Sequence, residues 1–224
     1  MVTIRKPAGR LRELETERYI LSTLPTLWLP LHRLDDSSFI SADGSGHLCT
    51  VTGATWTPQG RSFDGTDDII TVSPIPSIGT NNFTIVLWFK TGTLTAGMHA
   101  LKIGTAAVNN AVGLFVDDPD TANFVFGMHA GASITKTGLT DGAWHQVIGT
   151  GKDGNKISLF ADGQVVAQDT AATYNIGTTF FRIGAHQSGG YWRGLQGEVA
   201  LYINRAFSSL DAQRNYLATK FRYQ

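Results

Sequence analysis

Alternation of apolar and polar residues is clearest between Asp141 and Gln168, in DGAWHQVIGTGKDGNKISLFADGQVVAQ. Two dipeptides, Asp153-Gly154 and Asp162-Gly163, divide this stretch in three, and both suit the positive-φ positions of two-residue hairpin loops. A three-strand meander is predicted. In its middle segment Ile157, Leu159 and Ala161 alternate with Lys156 and Ser158, so one face points inward and the other is wet or partly covered. Such a sheet must bury its apolar face against a second layer, which predicts a two-sheet sandwich.

The same pattern continues along the chain. Phe83 to Lys90, FTIVLWFK, puts Phe83, Ile85, Leu87 and Phe89 on one face and Val86 and Trp88 on the other, which predicts a central strand covered on both sides. Leu27, Leu29 and Leu31 alternate with Trp28, Pro30 and His32, with Pro30 marking an edge or a strand start. Further strands are read around residues 48–51, 55–57, 69–72, 98–103, 111–116, 123–129, 180–186 and 198–203, with Val199, Leu201 and Ile203 inward. Residues 35–46, DDSSFISADGSG, read as a loop, and Asp117 to Asp120 read as a solvated turn. Strands separated by turns, without intervening amphipathic helices, predict antiparallel pairing. One helix is predicted from about Ser209 to Arg222, capped by Ser208 with Asp211, its apolar stripe made of Leu210, Leu217 and Phe221.

Residues 1–23 differ in character. Five basic residues (Arg5, Lys6, Arg10, Arg12, Arg18) stand beside Glu13, Glu15 and Glu17, and Leu11, Leu14, Tyr19, Ile20 and Leu21 can form a short amphipathic helix. This segment is an arm: a tail, a helix packed on the sandwich, or a docking segment that orders on a partner. Residues 24–224 form one domain that includes the C-terminal helix.

Composition narrows the function. Eighteen basic residues balance eighteen acidic ones, which gives no broad electrostatic grip on nucleic acid. Cys49 is the single cysteine, so the fold has no internal disulfide. The apolar stretch from Tyr19 to Leu31 is broken by Pro25 and Pro30, and no membrane span is expected. Neither a zinc-ligand spacing nor a nucleophile with a base near it in sequence is present, although six histidines are scattered along the chain.

Several blocks in order carry a family resemblance: Ser62 to Asp68, Phe83 to Phe89, Asp141-Gly142-Ala143-Trp144-His145, Leu159 to Gly163, Phe181-Arg182-Ile183-Gly184, and Gly194 to Ala206. Across roughly residues 24–221 the chain resembles the laminin-G-like, concanavalin-A-like lectin/glucanase jelly rolls. The resemblance implies an all-β, two-sheet antiparallel jelly-roll sandwich. It also makes His145 the second member of a Trp-His pair, a side chain that orients a turn.

That superfold hosts lectins, adhesion modules and glucanases, so function must be argued from a site. Glycoside hydrolysis needs two carboxylates flanking the bond. Beyond the arm the only glutamate is Glu198, and the clustered acids that the glucanases carry on one strand are missing, so no enzyme is expected. No cofactor is required. Calcium is the metal left open, with Asp35, Asp36, Asp43 and Glu198 as ligands, on the resemblance to jelly rolls that hold calcium between an early loop and a late strand. For a glycan, Tyr191 and Trp192 in HQSGGYWRG offer an aromatic platform, flanked by His186, Gln187 and Arg193; the same pair can instead cap the core. The expectation is a non-catalytic recognition or structural module, present in many copies, that meets other virion or surface proteins through residues 1–24 and takes a cell-surface glycan. The alternative is a secreted carbohydrate-binding adhesion domain. With neither a disulfide nor a recognisable secretory signal, a phage-type virion surface is the location expected, and an extracellular one the alternative.

Overall fold

The computed structural model describes residue 15, residues 19–20, 23–92, 97–117 and 123–223. Two antiparallel eight-stranded sheets face each other. Sheet A runs β14 (Gln164–Ala171), β13 (Lys156–Ala161), β12 (Trp144–Lys152), β7 (Phe83–Lys90), β16 (Arg193–Ile203), β5 (Gly60–Asp64) and β4 (Thr55–Thr57), while β1 (Leu27–Leu29) also pairs with β16. Sheet B runs β11 (Ser133–Lys136), β10 (Phe124–Met128), β9 (Ala111–Val116), β8 (His99–Gly104), β15 (Phe180–Ile183), β6 (Ile69–Ser73), β3 (Leu48–Thr52) and β2 (Ser38–Ile40). The predicted meander is β12-β13-β14, and its hairpin residues Asp153, Gly154, Asp162 and Gly163 all have positive φ. As expected, FTIVLWFK is central, between β12 and β16.

The main core lies between the sheets. Phe83, Ile85, Leu87 and Phe89 from sheet A meet Phe124, Phe126, Met128, Leu101 and Leu114 from sheet B, and Val199 and Leu201 point inward as predicted. Two glycines in β12 make room for rings, one from the facing sheet and one from the neighbouring strand β7. A Cβ at Gly149 would collide with the ring of Phe126, and one at Gly151 with the ring of Phe83.

A second core covers the outer face of sheet A. Val86, Trp28, Ile148, Phe160, Ala200 and Tyr202 form its floor, and Ala212, Phe207 and Ile20 its cover. Ala212 belongs to helix α1 (Ser209–Thr219), which Phe207 precedes and a 3-10 turn (Lys220–Arg222) follows, with the capping box at Ser208 and Asp211 as predicted. Its buried face differs from the prediction. Leu210 and Leu217 are about half exposed, and Ala212, Asn215 and Thr219 are buried instead. The reason is polar: Trp88 Nε1 donates to Thr219 Oγ1 (2.9 Å) and Gln146 Nε2 donates to Asn215 Oδ1 (2.8 Å), so the sheet demands acceptors from the helix. Tyr216 and Tyr223 stack on Trp88 at 5.7 and 4.4 Å between centroids.

Other differences are local. The expected loop 35–46 contains the short edge strand β2, and β16 begins at Arg193, five residues before the predicted start. Of the arm, Ile20 is fully buried in the second core and Thr23 meets Tyr202 and Arg205. Residues 1–14, 16–18 and 21–22 of the expected docking segment, and residues 118–120 of the expected turn, lie outside the described residues. Among the described residues no helix is long and apolar enough to cross a membrane.

Candidate functional site

The residues expected to form a calcium site do not come together as one. Glu198 is fully buried beside the bulge in β16, and Arg222 Nη1 donates to its Oε2 at 2.8 Å. Burial raises the Glu198 pKa, and Arg222 pulls against that rise. Asp43 accepts from the backbone N–H groups of Trp28 (2.8 Å) and Ser45 (2.7 Å), while Asp35 and Asp36 are exposed. The carboxylate oxygens of Glu198 and Asp43 are thus already used, by an internal cation and by backbone amides respectively. Among the described residues only Asp64, Asp67 and Asp68 bring three acidic groups within 4.8 Å, and there Asp64 and Asp68 accept backbone N–H bonds within their own turn.

The expected aromatic platform is divided. Trp192 is fully buried, edge-to-face with Phe89 (5.5 Å) and Phe124 (6.4 Å), so its ring belongs to the main core and offers no face to a sugar. Arg193 is exposed and starts β16 in sheet A. Tyr191 and His186 stay with sheet B: Tyr191 bridges to His99, and the His99 N–H donates to Gly190 O at 2.8 Å. Gln187 contributes its backbone carbonyl, which accepts from Arg182.

His145 is held by two turns. Its Nδ1 lies 2.8 Å from Asp162 Oδ2 and its Nε2 lies 3.0 Å from Asp141 Oδ1. The bond to Asp162, above all, raises its pKa. This clamp fits the expected role of a side chain that orients a turn.

Among the described residues no second layer packs on the outer face of sheet B. The pairing sets one row of small or polar residues across it: Thr71 opposite Arg182, Arg182 opposite Lys102, Lys102 opposite Gly113, and Gly113 opposite Gly127. Two glycines side by side lower the sheet surface. Around them stand His99, Phe115, His129 and His186, enclosing a hollow of about 220 Å³. The Phe115 ring, partly exposed, stacks on His99 at 4.7 Å, and His186 lies 4.7 Å from His99 on another side.

The electrostatics of this hollow are unusual. Lys102 is only 4% exposed, and its Nζ lies 3.2 Å from His129 Nδ1. Burial lowers its pKa to about 8. Burial, and then the repulsion that a protonated His99 would meet from His186, Lys102 and His129 when they carry charge, lowers His99 to about 3. His186 falls to about 4, chiefly through burial, and His129 is lowered for the same reason with help from Lys102. The three imidazoles are therefore neutral at pH 7. His99 Nδ1 is buried without a hydrogen-bond partner.

A second hollow, of about 550 Å³, is lined by Asn109, Asn155, Lys156, Asp169 and Thr173 among others, and no ring lines it. Of the sequence candidates only His186 lines the sheet B hollow, and its partners come from residues 99–130. Gly113 and Gly127 were the available signal, since a glycine inside an apolar strand marks a close approach.

Comparison with known proteins gives a consistent picture of the scaffold. The family model described as the concanavalin A-like lectin/glucanases superfamily matches residues 64–212. Similar solved structures include domain 4 of AbnA, a GH43 extracellular arabinanase from Geobacillus stearothermophilus, in complex with arabinotriose (TM-score 0.64, 13% identity, 86% of this chain and 98% of that domain). The binding domain of Paraclostridial Mosquitocidal Protein 1 superposes with a TM-score of 0.65 at 13% identity over 88% of this chain and 52% of that one. Trypanosoma rangeli sialidase gives 0.69 at 16% identity over 95% of this chain, which spans 38% of the sialidase. No curated protein matches the chain.

Proposed function

From a chain that belongs to the concanavalin A-like lectin/glucanases superfamily, we propose a non-catalytic carbohydrate-recognition module that takes its ligand on the outer face of sheet B. One observation carries this reading: the outer face of sheet B holds a hollow floored by glycines, walled by a partly exposed Phe115 and rimmed by histidines with hydrogen-bonding capacity. A sugar needs an aromatic surface for its apolar face and a few polar groups for its hydroxyls. The likeness to an arabinanase domain seen with arabinotriose supports the choice of ligand class. Support for a non-catalytic role is that, among the described residues, no carboxylate lines the hollow, where hydrolysis would require two.

A glycan array tests the reading, with Phe115→Ala as the control variant. Binding that Phe115→Ala abolishes, without release of reducing ends from the bound glycan, is the expected result. Binding that survives Phe115→Ala would move the site elsewhere.

For the setting, we propose display in many copies on a particle such as a virion, with an extracellular adhesion domain as the alternative. A shallow hollow gives weak single-site affinity, and repetition raises it through avidity. The fold also needs no oxidation, since its one cysteine, Cys49, is buried with its thiol pKa pushed up to about 12. Light scattering on the full chain, and proteomics of purified particles, check this; a strictly monomeric protein absent from particles would remove it.

A further inference from the structure

We propose that Lys102 is the counter-ion for an anionic group on the ligand, so that the sheet B hollow selects sugars bearing a carboxylate or a sulfate. This rests on the carbohydrate-recognition reading above. Lys102 is almost wholly covered, yet no carboxylate among the described residues pairs with it, and its one polar partner is the ring of His129. A buried cation without a partner is unfavourable and is retained where something supplies the opposite charge. The surroundings repeat that demand. Arg182 turns its guanidinium to the carbonyls of His186 and Gln187, so it adds positive charge nearby without neutralising any.

The tautomers sharpen the argument. The backbone N–H of Ser188 donates to His186 Nδ1 (3.2 Å), which makes that nitrogen an acceptor and places the ring proton on Nε2. The ammonium of Lys102 has donors only, so His129 Nδ1 must accept from it, and again the proton sits on Nε2. Two imidazole N–H donors and one ammonium therefore border the same hollow, with His99 Nδ1 able to carry a third proton. A cluster of donors with no acidic acceptor matches an oxyanion better than a neutral hydroxyl, which needs both.

The depth of the hollow can be altered without disturbing the fold. A Cβ at Gly113 would meet Leu101 O, His99 Nδ1 and a Phe115 ring carbon at 3.4, 3.5 and 3.5 Å, ordinary contacts that fill the floor.

The test compares glucuronic acid, a sulfated glucose and glucose by calorimetry, with the histidine ring shifts followed by NMR. Glucuronic acid or the sulfated sugar should bind at least about tenfold more tightly than glucose, as a hydrogen-bonded charge pair supplies. The stronger of the two identifies the anion. Lys102→Met should bring the acidic and neutral sugars to within about twofold of each other, and Gly113→Ala, with an unchanged melting temperature, should weaken all three. The wild-type protein offers a readout independent of any variant. Affinity for the acidic sugar should rise as pH falls from about 9 to about 7 while Lys102, His99, His129, His186 and Arg182 face the ligand, because Lys102 gains its proton with a pKa of about 8. Equal affinity for glucose and glucuronic acid would overturn the anion preference and leave the carbohydrate site standing. A preference that persists in Lys102→Met would overturn it as well. Failure of all three sugars to bind would remove both readings.

Discussion

Each sheet has one buried charge on its outer side, and the two are treated in opposite ways. Glu198 in sheet A is closed over by the C-terminal turn, with Arg222 at 2.8 Å and the rings of Tyr216 and Tyr223 over the neighbouring Trp88. Lys102 in sheet B is almost as deeply buried, but has an imidazole for a partner and no counter-charge among the described residues. The first arrangement serves the fold, because the chain supplies its own counter-charge from 24 residues away. The second leaves a term unfilled, and an unfilled term on an open face is what distinguishes a surface for binding from a surface for packing.

Four experiments would break or sharpen this contrast. The largest effect is expected from Arg222→Ala, which strands Glu198 in the second core: a loss of about 3 to 5 kcal/mol by chemical denaturation, and less for a joint Glu198→Gln and Arg222→Met change. Because Glu198 must then take up a proton to fold, the single variant should lose further stability as pH rises. Next is Ser208→Ala, which removes one side of the capping box on the helix that covers sheet A, at a cost of about 1 kcal/mol. Lys102→Met removes a charge that the fold does not pair, so stability should stay within about 1 kcal/mol or rise. A cost like that of Arg222→Ala would erase the comparison.

The smallest effect is a pH dependence. His99 and His186 have folded pKa values of about 3 and 4, below the unfolded value, so the unfolded chain binds more protons and stability falls as pH drops from about 6.5 toward 4. His145 acts in the other direction: its raised pKa contributes stability that is fully present below the unfolded pKa and is lost as pH rises through the folded one. Melting curves for His99→Gln should flatten the acid side, and those for His145→Gln should flatten the neutral side.

Much of the fold is legible in the sequence because strand periodicity is a local signal. FTIVLWFK states its two buried faces outright, and the Asp-Gly pairs fix both hairpins of the meander. The short edge strand β2 escaped because three residues with one buried ring carry too little pattern against turn-rich neighbours. The buried face of the helix escaped for a different reason. Asn215 and Thr219 look like solvent residues until Gln146, 69 positions earlier in the chain, and Trp88 are known to require acceptors. The site was half legible. His186 lay in a stretch conspicuous for its aromatics, but Trp192 beside it alternates onto the opposite side and into the core. Lys102, Gly113 and Gly127 meet only through strand register, which no short window contains.

For the proposed sheet B site, the seat of Phe126 over Gly149 bears on how fast a sugar would arrive. That ring anchors β10 from the rear, and Gly127, the next residue along the strand, forms part of the hollow on the opposite side. A wall fastened from behind in this way has no closing step to make when a ligand enters. Stopped-flow traces should then show a single phase whose rate rises linearly with sugar concentration and without a plateau, the signature of encounter with a finished surface. Gly149→Ala, which would unseat the ring, should introduce a second, concentration-independent phase without touching a single residue of the hollow.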